Sequence, residues 1–134
     1  MAMTRKEAAA AKPESSLREA MKAAGELADA GKTAEAVAAY EKIGVQRSKK
    51  AETWRLNSEG LAYLNAKEPM IDKATALLEK AVAVDDSNAV AWNNLGTVYE
   101  QADQVAKAGE AYQKSIDAAK ADGSSSEKAE ANLT

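Results

Sequence analysis

Residues 89–122, AVAWNNLGTVYEQADQVAKAGEAYQKSIDAAKAD, set the reading of the whole chain. Trp92, Leu95, Gly96 and Tyr99 fall at helical intervals, and Ala108 and Tyr112 follow four positions apart. Residues three and four apart share one face of an α-helix, so each half of the stretch carries a single apolar stripe. Gly96 and Ala108 are the small members of the two stripes, and small residues let two helices cross closely. The stretch therefore predicts a helical hairpin in which Gly96 faces Ala108 while Trp92, Leu95, Tyr99 and Tyr112 fill the seam.

Two similar units lie upstream. Ser16 with Glu19 makes a capping box, so a first helix is expected from Ser16 to about Ala30. Gly31 then supplies the stop, and Thr33 caps a second helix running to about Val45. In this hairpin Ala24 and Leu27 stand for Gly96 and Tyr99, and Ala36 and Tyr40 stand for Ala108 and Tyr112. The next hairpin begins at a Ser48 cap and carries Trp54, Leu56, Leu61, Tyr63 and Leu64. Pro69 suits the first position of its second helix, which holds Ala74, Leu77, Leu78, Ala81 and Val82.

The spacings bear on register. Ala74 to Ala108 and Leu78 to Tyr112 are each 34 positions, Trp54 to Trp92 is 38, and both Ala36 to Trp54 and Ala74 to Trp92 are 18. The constant step of 18 puts Ser58 opposite Ala74, with four extra residues in the first helix of that hairpin or in its turn. A competing register places Gly60 and Tyr63 in the Gly96 and Tyr99 positions.

The pattern W-x2-L-G-x2-Y followed by A-x3-Y resembles the tetratricopeptide repeat. That resemblance implies an all-α fold, a right-handed α-α superhelix (solenoid) of three hairpins over residues 16–47, 48–86 and 87–122. Residues 1–15 would precede it as a flexible arm or a cloning-derived join. Residues 123–134 would follow as a capping helix or a truncated next repeat, Ser124 and Glu127 again making a capping box. The repeat signature is carried by Ala24, Ala36, Tyr40, Trp54, Ser58, Ala74, Leu78, Trp92, Leu95, Gly96, Tyr99, Ala108 and Tyr112. Asp86 stands where the family usually has proline, which loosens that turn.

In the family, the first helix of each hairpin lines a concave groove that receives a peptide or helix of a partner. Carried over residue by residue, the resemblance implies groove positions at Arg18, Met21, Gly25, Asp29, Glu52, Arg55, Glu59, Tyr63, Val90, Asn93, Thr97, Glu100 and Gln101. The clamp that some members use for acidic chaperone tails is not matched, since Met21, Gly25, Leu56, Val90 and Asn94 hold its places. Only the asparagine survives, so no binding of that kind is expected.

Composition narrows the chemistry. The 134 residues contain neither cysteine nor histidine, which removes thiol nucleophiles, imidazole bases, disulfides and the usual zinc ligands. No glycine-rich phosphate loop is present, and Glu52, Glu59, Glu100 and Asp103 read as solvated helix faces rather than opposed catalytic carboxylates. No enzyme activity, metal or cofactor is expected. A net charge of −3 offers no overall attraction to nucleic acid or an anionic membrane. Arg47, Lys49 and Lys50 form a short basic cluster without an aromatic platform. Residues 17–50 carry seven basic and five acidic groups and residues 51–88 four and seven, a gradient able to orient a partner.

No apolar run approaches a membrane span, and no signal-peptide core is visible, so a cytoplasmic location is expected unless the chain is a fragment of an exported or anchored protein. The expected partner is another protein. Self-association through the end hairpins is the alternative.

Overall fold

Pro13 opens the first helix, three residues before the start expected at Ser16. The computed structural model describes residues 13–122, and among them are six helices and no strand. They are α1 (Pro13–Asp29), α2 (Thr33–Ile43), α3 (Lys49–Leu64), α4 (Ile71–Val84), α5 (Ala89–Gln101) and α6 (Val105–Asp122). The arm expected over residues 1–15 is therefore helical from Pro13 onward, and Ser16 with Glu19 lies inside α1 instead of capping it. Proline fits a first turn because the amide hydrogen it lacks would have no intrahelical partner there. Residues 1–12 and the closing helix expected over 123–134 lie outside the described residues.

The described chain divides into two compact units after Gly44. In the first, α1 and α2 pair as a hairpin and bury Met21, Ala24, Ala36, Val37 and Tyr40. The chain leaves α1 through Gly31, whose φ of 80° only glycine adopts without cost. The Lys32 N–H donates to the Leu27 carbonyl at 2.9 Å and the Gly31 N–H to that of Ala28 at 3.0 Å, the Schellman closure of a helix. Thr33 is the first residue of α2 rather than its cap; Lys32 holds the cap place and makes no side-chain bond. The helix stops at Ile43, two residues early, because Gly44 also turns left-handed at φ 76°.

The second unit holds two hairpins, α3 with α4 and α5 with α6, joined where α4 packs on α5. Ser48 caps α3, its Oγ accepting from the Ala51 N–H at 3.2 Å. Asn88 caps α5 in the same way, accepting from the Ala91 N–H at 2.9 Å. Pro69 does not open α4, which starts at Ile71 after Met70. Instead the Met70 N–H donates back to the Tyr63 carbonyl at 3.1 Å and closes the connection. One continuous core runs through both hairpins, with Leu56, Leu78, Leu95, Val98 and Tyr112 among its members. Tyr99 ties the hairpins together through its hydroxyl, which donates to Glu79 of α4 at 2.7 Å.

The helix crossings decide the register. A Cβ on Gly96 would lie 2.6 Å from two ring carbons of Tyr112, closer than atoms can approach. A Cβ on Gly60 would meet Leu78 Cγ at 3.0 Å and the Ala74 carbonyl oxygen at 3.4 Å. Leu78 and Tyr112 are 34 positions apart and play the same part, so Gly60 is the counterpart of Gly96 and the assignment of Ser58 to the crossing is corrected. Glycine on the first helix makes room for a large side chain from the second, where the sequence suggested small residue against small residue. Trp54 is accordingly no counterpart of Trp92. It is 41% exposed and stands outside the core. Gly60 to Gly96 is 36 positions, two more than the repeat step, and the excess sits in the turn. Residues 65–70 connect α3 to α4, where 102–104 suffice between α5 and α6.

That shorter turn ends in a second Schellman closure. The Gln104 N–H donates to the Tyr99 carbonyl at 2.8 Å, with Asp103 held at φ 61°. An L-residue there costs roughly 1 kcal/mol relative to glycine, so Asp103→Gly is expected to raise the melting temperature. Gly96→Ala should destabilise by about 1–3 kcal/mol, since the buried Tyr112 ring must move. Gly109→Ala, with nothing within 4 Å of the new methyl, should be neutral or stabilise by up to about 1 kcal/mol. Denaturant titration of the three variants checks the ranking, and a Gly96→Ala protein as stable as the parent contradicts the crossing geometry.

Candidate functional site

The α3 helix is buried on more than one face, and its Glu52 and Arg55 side chains pair with each other. Glu52, Arg55 and Glu59 are only 4–6% exposed, not the exposed groove positions, nor the solvated carboxylates, that the sequence suggested. Glu52 accepts from Arg55 twice, Oε1 from Nε at 2.9 Å and Oε2 from Nη2 at 2.8 Å. Its Oε1 also accepts from the Gln46 N–H at 3.0 Å, and Arg55 Nη1 lies 3.6 Å from Glu59 Oε1. The Arg55 hydrogen bonds, joined by the Gln46 amide, hold the Glu52 carboxyl below its ordinary range against the opposing effect of burial. Two carboxylates bracket one guanidinium, an arrangement that stitches consecutive turns of one helix and presents no opposed acid and base.

The remaining expected groove positions are dispersed. Arg18 is exposed on α1, as is Asp29, whereas Met21 belongs to the core and Gly25 is half-buried. Tyr63 is half-buried, with the Lys73 amine 5.5 Å above its ring. On α5, Val90 is 62% exposed, Asn93 is buried, Thr97 is half-buried, and Glu100 and Gln101 are exposed.

Moving α3 to the Gly60 register brings other residues forward. Trp54, Asn57 and Leu61 stand 36 positions before Val90, Asn93 and Thr97 and match them. The structure joins the two helices at this level, Asn94 Nδ2 donating to Asn57 Oδ1 at 2.9 Å. Since α3, α4 and α5 reverse direction twice, α3 and α5 run parallel. Trp54 lies about one turn before Asn57, and Val90 one turn before Asn94. An exposed indole and an exposed isopropyl group thus stand at the same end of a linked amide pair. Further along α5, the Tyr112 hydroxyl donates to Glu100 Oε1 at 2.8 Å and lies 3.3 Å from Thr97 Oγ1, fixing the Glu100 side chain in place. Sequence reasoning missed the exposed Trp54, the half-buried Leu61 and Asn94, and the buried Asn57 that bonds Asn94; the Gly60–Tyr63 spacing was the signal that could have found them.

Among the described residues no group of three or more potential ligands gathers to hold a metal ion, and no helix is long and apolar enough to cross a membrane. Lysines cover the aromatic rings on the other side of α5, Lys107 5.6 Å from the Tyr99 ring centre and Lys114 5.2 Å from that of Trp92. Burial, then the hydrogen bond and charge of Glu79, push the Tyr99 hydroxyl up to about 12.

Glu52 and Tyr99 each carry a pH dependence whose sign follows from linkage. Glu52 is the stronger acid when folded, so its contribution is present above its unfolded value of about 4.5 and fades as pH falls through the lower folded one. Tyr99 is the weaker acid when folded, so stability is lost as pH rises from about 10 to about 12. Chemical denaturation across pH is expected to show the acid loss in the parent and a smaller loss in Glu52→Gln. Arg55→Met, which strands two buried carboxylates, should cost about 3–5 kcal/mol at neutral pH.

The comparisons with known proteins agree with this geometry. Residues 77–110 match the family model described as Tetratricopeptide repeat. That window runs from the middle of α4 through α5 into α6, so it contains Trp92, Gly96, Tyr99 and Ala108 and spans the packing of one hairpin on the next. No curated protein matches the chain. Tetratricopeptide repeats are in general protein–protein interaction modules and typically non-catalytic. The chain thus carries a stretch similar to the tetratricopeptide repeat over residues 77–110, set within described residues that fold as helical hairpins.

Proposed function

We propose that this protein is a non-catalytic adaptor that binds an extended segment of a partner protein across α3 and α5. The observation that carries the reading is the pair of exposed apolar side chains, Trp54 and Val90, beside the Asn57–Asn94 hydrogen bond. An exposed tryptophan on a rigid helix is the kind of anchor on which binding energy concentrates. The amide pair supports the reading differently. Asparagine carries two donor hydrogens and an acceptor oxygen, so the half-buried Asn94, having given one hydrogen to the buried Asn57, keeps a second hydrogen and its oxygen for the amides of a bound main chain. Main-chain contacts give affinity with little demand on sequence, and the tryptophan supplies the preference for a bulky apolar residue.

The Glu52–Arg55–Glu59 cluster serves the surface indirectly. By holding consecutive turns of α3 together it keeps Trp54 and Asn57 on a rigid support. Among the residues originally expected to line the groove, those on α5 remain in the proposed surface and those on α3 are replaced by Trp54, Asn57 and Leu61.

A random library of ten-residue peptides with both ends blocked, panned against the purified protein, tests the reading. Selected peptides are expected to carry a bulky apolar residue and to lose affinity by about 2 kcal/mol or more, roughly thirtyfold, on Trp54→Ala. Gln113→Ala, on the exposed side of α6, should leave binding unchanged. Recovery of no binder, or of binders indifferent to Trp54→Ala, removes the proposed surface.

A further inference from the structure

The charges around this surface are arranged end to end. Arg47, Lys49 and Lys50 are all exposed at the start of α3, and Lys50 precedes Trp54 by one turn on the same stripe. The nearest carboxylate on α3, Glu52, is buried and committed to Arg55, so it does not offset that positive end. The Asp85 carboxyl is held below its usual range by the hydrogen bonds from Ser87 and, more weakly, by the charge of Lys49. The opposite end of α5 is negative, while the connection leaving α3 carries both Lys67 and Glu68, exposed and of opposite sign. Helix α5 contains no basic residue, and it finishes with Glu100 and Gln101 exposed, followed by Asp103. Glu100 is held in position by the Tyr112 hydroxyl and still has an oxygen without a role in that bond.

We infer that the partner segment is dipolar: an acidic residue next to a bulky apolar one at the end over Lys50 and Trp54, and a basic residue at the end over Glu100. This rests on the reading of α3 and α5 as a peptide surface and adds the chemistry and direction of its occupant. The spacing follows from helix geometry. Val90 and Glu100 are ten residues apart on α5, about 15 Å at 1.5 Å per residue. An extended chain covers that distance in four to five residues at roughly 3.3 Å each. The segment therefore reads acidic, apolar, three or four intervening residues, basic. Such a segment can be internal to its protein, because its anion is a side chain. Single-stranded nucleic acid fits poorly, since its phosphates would have to pass over Glu100 and Asp103. Charges of this exposed kind add little affinity but select direction and exclude reversed partners.

Fluorescence anisotropy with two labelled peptides, blocked at both ends, tests the inference. One is Asp-Leu-Ser-Thr-Ser-Ser-Lys and the other is the same peptide with Asp and Lys exchanged. The parent protein is expected to bind the first about threefold or more tightly at low salt, a preference that shrinks as salt is added. Lys50→Glu and Glu100→Lys should each weaken that preference, and the double variant should invert it in favour of the exchanged peptide. Trp54→Ala should weaken both peptides alike, with circular dichroism confirming that each variant remains helical. Equal affinity for the two peptides, with binding still dependent on Trp54, overturns the dipolar inference and leaves the peptide surface standing. Binding of both peptides that ignores Trp54→Ala overturns the two together. Absence of binding by either peptide while the blocked library yields Trp54-dependent binders again overturns only the dipolar inference, as does displacement of the first peptide by an equal concentration of oligothymidylate.

Discussion

The contact between a glycine on the first helix of a hairpin and a large side chain on the second is the constraint from which the rest of the second unit follows. At Gly96 the Tyr112 ring occupies the volume a Cβ would need, and at Gly60 Leu78 does the same with slightly more room. Such a contact can be made at one axial position only. Sliding either helix by a turn would drive the ring into a residue that has a side chain, so the crossing sets depth and register together. The hydroxyl of Tyr112 then emerges beyond the crossing, where Thr97 and Glu100 receive it.

From that register comes the identity of the exposed residues. With Gly60 at the crossing, Leu56 enters the core and Trp54 is turned out, while Asn57 faces Asn94 on the parallel helix. Burial of α3 on several sides would leave its charged residues stranded, and the fork between Glu52 and Arg55 resolves this inside one helix, with Glu59 close behind. A buried pair of this kind is weak evidence for net stability, because desolvation offsets most of the attraction. Its clearer consequence is that it takes two carboxylates off the surface. The start of α3 is left positive and the end of α5 negative, an asymmetry produced as much by what is buried as by what is exposed.

The second unit also shows how an insertion is absorbed. Leu78 and Tyr112 keep the 34-residue step, while the first helices are 36 apart. Extra residues placed within α3 would have rotated its buried face by 100° each. Placed in the connection over 65–70, they cost only loop entropy, and the Met70 N–H to Tyr63 carbonyl bond closes the longer turn. Helices stayed in phase because the variation went where no packing depends on it.

Local information determined much of this molecule before any coordinates. Six helices, the cap at Ser48, the stop at Gly31 and the core places of Ala36, Ala74, Leu78, Gly96 and Tyr112 depend on neighbours within a few positions, where helical periodicity and capping act. Tertiary structure alone decided that Gly60 rather than Ser58 lies at the crossing, that Arg55 is buried between two glutamates, and that Trp54 faces outward. Each of these depends on how far one helix is displaced along another. Turn length sets that displacement, and with a six-residue connection the helical period alone fits both the Ser58 and the Gly60 register.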